Sequence, residues 1–566
     1  MSFGIPVRNG LMLGLVASTA LSTRGGRTSP AMALNFLQPF LDSRITFSRG
    51  TNATLVDRTG RITYAPANLV LWSQDFSNAA WAATTATKTS GVLDPLGGTT
   101  ASTITATAGN GQILQTVGGS AGTSQAYVAS IWLRRRTGTG SVFLFNPNGG
   151  GLATVTLTGS WAQYSVTGLG AAASNFVGIR LATSGDAVDV AFAQFEPVTY
   201  QTTPSTYNAT TASAYYGPRF DYDPVTLAPR GLLIEEQRTN LLTYSADWTN
   251  LAWIKSETTI SANSTLAPDG TTTADTLIGS TNNIAKFTAQ IGLTSTTSTF
   301  TVYAKAAGET VISLWLVGAT VGASFTLTGS GSTALLGATS SSITPAGNGW
   351  YRCTVQHNTA TTTAHIYLRT GSSYIGDGTS GAYLWGAQLE AGAFATSYIP
   401  TVASAVSRSA DVASMTGTNF STWYNQAEGT FVVEAARGEV NVTAYTLTAS
   451  DNTAAEWIGT YFATSQRVGA TIVDGSVTQM AVVTANNSAP INTITKAAVA
   501  YKLNDSNLAA NGVALTTDTS CTIPTTNRLY IGSDVNGGSQ YINGRIRVIA
   551  YYNTRLSNTQ LQQVTT

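Results

Sequence analysis

The sequence predicts an all-β protein built from tandem β-sandwich domains, on three observations. From Ile45 onward, short runs of Thr, Val, Ile and aromatic residues alternate with small polar ones and are punctuated by Gly, Asn and Asp. A period of two belongs to half-buried strands. Helical periodicity is almost absent, confined to residues 558–564 and a turn at 78–80. The chain is also duplicated: Asn68-Leu69, Ser73, Asp75-Phe76, Asn78 and Ala80-Trp81 are answered by Asn240-Leu241, Ser245, Asp247-Trp248, Asn250 and Ala252-Trp253, at a constant offset of 172 residues (240 − 68 and 253 − 81). A repeated module points to repeated binding or spacing rather than to two active sites.

Composition narrows the function. A chain of 566 residues is too long for one core and calls for roughly three to five domains. Only 10% of residues are charged, against about 25% in ordinary soluble proteins, so the surface is neutral and rich in hydroxyls. Lys plus Arg number 29 and Asp plus Glu 28, a net charge of +1. Without a broad field to gather phosphates or anionic lipid, neither nucleic acid nor membrane insertion is expected. Cys353 and Cys521 fall in different predicted domains, which leaves no disulfide framework. With His357 and His365 the only histidines, no structural zinc and no cofactor are expected, and both histidines are read as decorating strands.

Taken in order, residues 1–44 come first. Within them residues 11–21 (LMLGLVASTAL) come after Arg8 and resemble the apolar part of a signal peptide, but are too short to span a membrane. The favoured reading is an attachment segment that inserts into a partner assembly or pairs with its own copies. Residues 45–210 form the first sandwich, with strands at 125–133 (QAYVASIWL) and 141–145. Residues 211–239 form an ordered connector, in which Pro218, Pro224 and Pro229 forbid a regular helix and impose extended and turn geometry. Residues 240–410 form the second sandwich, with a strand at 298–304.

The duplication continues through these domains. Residues 95–104 match 268–277 at offset 173, Trp132 matches Tyr303 at 171, Trp161 matches Trp350 at 189, and Ala193-Gln194-Phe195-Glu196 matches Ala387-Gln388-Leu389-Glu390 at 194. The second copy therefore gains 18 residues (189 − 171) between Tyr303 and Trp350, Gly329-Ser330-Gly331 among them. These predict a longer loop or an added hairpin, where recognition tends to sit. Residues 411–566 form a third unit with a strand at 430–434 and a hairpin signal at Asn511-Gly512. It runs on through Leu529-Tyr530-Ile531-Gly532 and residues 541–553 to a short final helix.

Glycoside cleavage would need two carboxylates facing each other across a sugar. Glu196 and Glu390 close equivalent strands and read as hydrogen-bond acceptors. Adjacent Glu235 and Glu236 point to opposite sides of an extended segment, and Glu428 and Glu434 read as a solvated strand face. No nucleophile with a nearby histidine base and no phosphate-cradling glycine loop is evident. Asp269-Gly270, Asp377-Gly378 and Asp474-Gly475 read as turns, with calcium the alternative. No catalytic residue is assigned and the chain is expected not to be an enzyme.

Two segments carry a resemblance. FDYDPVTLAPRGLLIEEQRTNLL over residues 220–242, with Thr46-Phe47-Ser48-Arg49-Gly50-Thr51-Asn52-Ala53-Thr54, Val56-Asp57 and Gly60 upstream, resembles a signature of structural proteins of tailed bacteriophages. The resemblance implies carbohydrate-binding-module-like jelly rolls for both repeats. The order of segments after Asn511 is similar to the last strands of concanavalin A-like (laminin-G-like) lectin domains, which implies a lectin-like sandwich over 411–566. These resemblances imply a tail-fibre or head-fibre protein on the virion surface, anchored to other virion structural proteins by its N-terminal segment, homotrimeric, and binding a host-surface glycan. A purely structural virion protein is the alternative and a capsule or lipopolysaccharide depolymerase the second. Sugar recognition uses aromatic rings for stacking and amide or carboxylate groups for hydroxyls. In the third unit Trp457, Tyr461, Asn504 and Asp505, expected on or near loops, are the candidate carbohydrate-binding residues.

Overall fold

The computed structural model describes residues 29–118, 125–149, 151–171, 174–316, 318, 320–438 and 442–566. The residue 11–21 run lies outside them. The described residues are overwhelmingly antiparallel strand, with α-helix only at Thr418–Ser421 and Asn558–Thr565. The protein is an all-β chain of tandem β-sandwiches. The described residues divide into two compact units, one within 47–412, which holds both repeats and the connector, and one of residues 29–46 with those of 413–566.

In the first unit each repeat is a two-sheet sandwich. The first repeat's sheets run Ala162–Leu169, Ala126–Thr137, Ala187–Val198, Ala101–Ala106, Ala86–Val92, and Leu152–Val155, Val142–Phe145, Ser174–Leu181, Gly111–Gly118, Ala82–Thr84. Ile104, Ile113, Ile131, Leu133, Leu144, Ile179, Val190 and Phe195 fill the space between them, closed by Phe76 and Trp81. The second repeat has the same order with one strand more in each sheet. The added residues after Tyr303 supply both: Ser332–Leu336 pairs with Val321–Thr326 in one sheet, and Ser340–Pro345 with Tyr351–His357 in the other. The insertion is therefore neither a loop nor a hairpin, since its two strands go to different sheets.

The residues that mark the duplication form one hydrogen-bond scaffold, built twice. Asn68 donates to the carbonyls of Ala193 (3.0 Å) and Asn208 (2.7 Å) and accepts from the amides of Val70 and Phe195. Asn240 donates to Ala387 (3.0 Å) and Ile399 (2.9 Å) and accepts from Leu242 and Leu389. Ser73 meets the Tyr207 hydroxyl as Ser245 meets that of Tyr398, and the indoles of Trp81 and Trp253 donate to the carbonyls of Trp72 and Tyr244. The long strands carry a bulge at the same place. It needs a left-handed residue, which is Gly386 (φ 64°) in the second copy and Phe192 (φ 50°) in the first, where the ring stacks on Tyr207.

The connector is a hairpin, Arg219–Tyr222 against Pro229–Ile234, turned by Asp223, which accepts from the amides of Val225 and Thr226. Thr54–Val56 and Ile62–Tyr64 form a second hairpin. A buried ion cluster ties these segments together. Arg49 pairs with Asp411 (2.9 Å), Arg219 with both Asp411 and Glu235, and Arg408 with Glu235 (2.7 Å). The side chains of all three arginines and of Asp411 are fully buried. Backbone groups and Ser397 supply further bonds: Arg49 donates to Gly217, Arg219 to Thr54, Arg408 to Glu236, and Ser397 to Glu235. Burial alone would raise the Glu235 carboxyl, but Arg408 and Arg219 outweigh it and hold it far below the usual carboxylate range. Asp411 is likewise held down against its burial by Arg219 and Arg49.

In the second unit Gly544–Tyr552 lies between Glu428–Arg437 and Met32–Asn35, and the sheet continues through Thr495–Lys502, Asn507–Ala510 and Val513–Ala514. The described part of the N-terminal segment thus contributes one strand, Met32–Asn35, to this sheet. Facing it are Val412–Thr416, Arg528–Ile531, Ala444–Ser450, Trp457–Ala463, Arg467–Asp474 and Val477–Val483. Asn511 (φ 47°) and Gly512 (φ 81°) make the expected hairpin turn. The final helix starts on a Ser557/Gln560 capping box and seats Leu561 among Ala498, Ala500 and Ala509.

Asn240→Ala strands two buried amides and two carbonyls, and should cost about 2–4 kcal/mol, read as a lowered melting midpoint. The Glu235 and Asp411 carboxyls titrate lower folded than unfolded, so their stabilisation is complete above the ordinary carboxylate value of about 4 and is lost as pH falls from there toward their folded values. A melting series from pH 6 to pH 2.5 should show a drop beginning below about pH 4.

Candidate carbohydrate-binding faces

Trp457 and Tyr461 lie not on loops but on one strand, Trp457–Ala463. Alternation sends Ile458 and Phe462 into the core and puts Trp457 and Tyr461 on the outer face, beside Tyr445, Val473 and Val535. Tyr461 lies over Gly469, where a Cβ would sit 2.4 Å from its ring. The segment after Ser533 is tied down across this face: Thr448 and Ser450 donate to the carbonyls of Ser533 and Val535, and the Tyr445 amide to Gln540. Trp457 and Tyr445 retain only 9% and 8% exposure, so the Trp457 ring packs rather than presents a face, and Tyr461 is the accessible ring of the group. Asn504 and Asp505 belong to the turn joining Thr495–Lys502 to Asn507–Ala510, in the opposite sheet. Asn504 adopts φ 56° with its amide bonded to the Cys521 carbonyl, and Asp505 pairs with Arg555 (2.8 Å). The four residues do not form one site.

The carboxylates are also accounted for. Glu196 accepts from the Ser205 amide and hydroxyl, and Glu390 from those of Thr396, equivalent loops of the two repeats. Burial raises the Glu196 carboxyl, opposed by Ser205. Glu236 pairs with Arg238, Glu428 with Lys502 and Glu434 with Arg547. Asp269 and Asp377 accept from amides two and three residues on, as turn residues do, and Asp474 accepts from Thr522. Among the described residues no group of three or more His, Cys, Asp or Glu converges as a metal site.

A different face stands out in the second repeat. On the sheet Ile254–Ser256, Phe287–Ser295, Thr361–Leu368, Val311–Leu316, Val321–Thr326, Ser332–Leu336, the inward side carries Ile312, Leu314, Leu316, Ala364, Ile366 and Leu368. The outward side carries Phe287, Trp315, His365 and Tyr367, all half-buried. Cross-strand register joins them: Phe287 opposes Tyr367, and Trp315 opposes His365. The Phe287 ring lies 5.0 Å from His365 and 4.9 Å from Tyr367. His365 and Tyr367 are nearly coplanar in orientation, 15° apart, and Trp315 meets Tyr367 edge-on. Trp315 lies over Gly322 and is fixed by its indole N–H donating to Ser313 (2.9 Å). Burial lowers the His365 pKa, which keeps the imidazole neutral at neutral pH. Exposed Ile291 continues the strip along the Phe287 strand. By register the first repeat has Gln112, Phe145, Gly178 and Arg180 at the corresponding places. The aromatic face is therefore not part of the duplicated scaffold. His365 sits on a strand as read from the sequence. Its alternation with Tyr367 was visible there, but which sheet face is left open depends on long-range pairing.

No family model matches the chain, and no curated protein does. Among solved structures it is similar to the CBM40 module of the Ruminococcus gnavus IT-sialidase bound to alpha2,3 sialyllactose, at 16% identity and TM-score 0.24, over 26% of this chain and 88% of that one. It is similar to a point mutant of the NanB sialidase from Streptococcus pneumoniae, at 15% identity and TM-score 0.23, over 27% and 26%. A heptameric SAP-like pentraxin from Limulus polyphemus shows 12% identity and TM-score 0.20, over 25% and 70%. These likenesses are faint, and neither fold nor ligand is carried across from them.

The two outer faces separate by mutation. Trp457→Ala should destabilise the 413–566 unit by about 3 kcal/mol, whereas Tyr461→Ala and Trp315→Ala should shift the melting midpoint by no more than about 2–3 °C.

Proposed function

We propose that the chain is a non-catalytic glycan-binding protein and that the second repeat carries its principal sugar platform. The supporting observation is the outward row of Phe287, Trp315, His365 and Tyr367. Four rings held in contact on the open side of a rigid sheet give stacking surface with little conformational entropy to lose. Surface aromatic patches of this kind mark binding sites. The weakly charged, hydroxyl-rich surface suits contacts with sugar hydroxyls. The carboxylates considered for cleavage are engaged in turns, caps and ion pairs, which favours binding over hydrolysis.

The setting we propose is the surface of a tailed-phage virion, as a tail or head fibre or a decoration protein. That reading rests on the resemblance of residues 46–60 and 220–242 to phage structural proteins. It includes attachment to other virion proteins through the N-terminal segment and assembly as a homotrimer.

Purified protein incubated with a panel of host capsular and lipopolysaccharide glycans tests the reading. The expected result is retention without release of reducing ends. Trp315→Ala or Tyr367→Ala should weaken retention at least tenfold, about 1.4 kcal/mol, with the melting midpoint nearly unchanged. Released product would favour a depolymerase, and no retention on any glycan a purely structural protein. Sedimentation equilibrium should give three times the chain mass of 58.8 kDa.

A further inference from the structure

The first repeat carries a second outward row with different chemistry. On the strand Ala126–Thr137, alternate residues Trp132, Arg134 and Arg136 face outward, while Ile131 and Leu133 enter the core. Asp189 stands opposite Arg134 on the neighbouring strand, with Thr103 opposite Asp189 on the next. Both arginines close on this one carboxylate: Arg134 Nε at 2.7 Å, and Arg136 Nε at 2.7 Å and Nη2 at 3.1 Å. Thr103 Oγ1 donates to it at 2.6 Å. Two cations thus share one anion, which is buried while the arginine side chains stay 25% and 43% exposed. Among the described residues, both Nη groups of Arg134 and Nη1 of Arg136 make no other hydrogen bond. The Arg134 guanidinium is held 4.8 Å above the Trp161 ring, whose buried indole N–H has no partner among the described residues.

A brace needed for folding should recur in the second copy, and this one does not. By offset and register the equivalent residues are Lys305, Ala307 and Tyr383, and no ion pair joins them. The second copy's matching indole, Trp350, is satisfied by the Leu266 carbonyl at 3.0 Å. The first repeat departs from the shared scaffold at the charged row and at the ring beside it, and closes the same sheet regardless.

We infer that Arg134 and Arg136 form an anion site for the carboxylate of an acidic sugar residue, with half-buried Trp132 beside them as apolar floor. A guanidinium offers its N–H groups in a planar fork that suits the two oxygens of a carboxylate. Asp189 and Trp161 hold the two forks in place before binding, which lowers the ordering cost. The assignment rests on the glycan-binding reading but uses the other repeat.

The test compares polygalacturonate oligomers with the same oligomers reduced at the carboxyl, on the full chain, on R134M/R136M and on W315A. Wild type and W315A should retain the carboxylated form, R134M/R136M should bind it at least tenfold more weakly, and the reduced form should be indifferent to the double substitution. Retention by wild type should also fall as salt rises from about 50 to about 500 mM. Equal retention of both oligomers by wild type, unchanged retention by R134M/R136M, or salt-independent retention would each overturn the assignment. W315A that still binds neutral glycans as wild type does would instead count against the aromatic platform and leave this site standing.

Discussion

The constraint on which the first unit depends is electrostatic. Five ionised groups, Arg49, Arg219, Arg408, Glu235 and Asp411, are enclosed together, and a buried charge is tolerated only when it is paired and hydrogen-bonded. They come from three stretches far apart in sequence: the segment before the first repeat, the connector, and the exit from the second repeat. None of the three can leave without stranding charge in the interior. The Glu235 amide also donates to the Asp411 carboxylate and the Asp411 amide to the Glu235 carbonyl, so each backbone is registered against the other. Arg49, in the segment before the first repeat, and Glu235, in the connector, are thus linked through Arg219, Arg408 and Asp411 into one electrostatic object.

Around that fixed centre the two repeats use one set of instructions for folding and another for their surfaces. Asn68 and Asn240 make the same four bonds, Gln194 and Gln388 accept from the amides of Asn208 and Ile399, and the tryptophans close the same end of each core. Outward positions carry unrelated side chains: an arginine pair and its aspartate in the first copy, an aromatic row in the second. Duplication frees an outer face from the demands of the core, because the hydrogen-bond scaffold already specifies register and bulge. One architecture can then hold chemically distinct contact surfaces in successive copies.

Much of the architecture was legible in the sequence because it rests on local and repeated signals. Alternation gave the strands, Pro218, Pro224 and Pro229 the extended connector, and Asn511-Gly512 its turn, while the paired Asn-Leu and Gln-x-Glu motifs marked both repeats. What could not be read depends on pairing at a distance. Trp457 has the composition of a sugar contact, yet the segment after Ser533 covers it, and nothing within several residues of Trp457 announces that cover. Asn504 and Asp505 are polar and lie in a turn as their types suggest, but on the sheet opposite Trp457. Phe287, Trp315 and the His365/Tyr367 pair lie on three strands far apart along the chain, and only register makes them neighbours. The destination of the inserted residues after Tyr303, one strand to each sheet, is likewise a matter of which edges were free.

The most direct measurement of the central claim, that the buried ion cluster holds the three segments as one body, is hydrogen exchange on the full chain carrying Asp411→Asn. Removing one charge should leave Arg49 and Arg219 underpartnered, and the amides of Val56, Leu232, Leu233, Ile234 and Glu235 should lose protection together and by similar factors. The Asn240 scaffold within the second repeat should exchange as in wild type. Loss confined to the neighbours of residue 411, with the Thr54–Val56 and Pro229–Ile234 strands still protected, would contradict it.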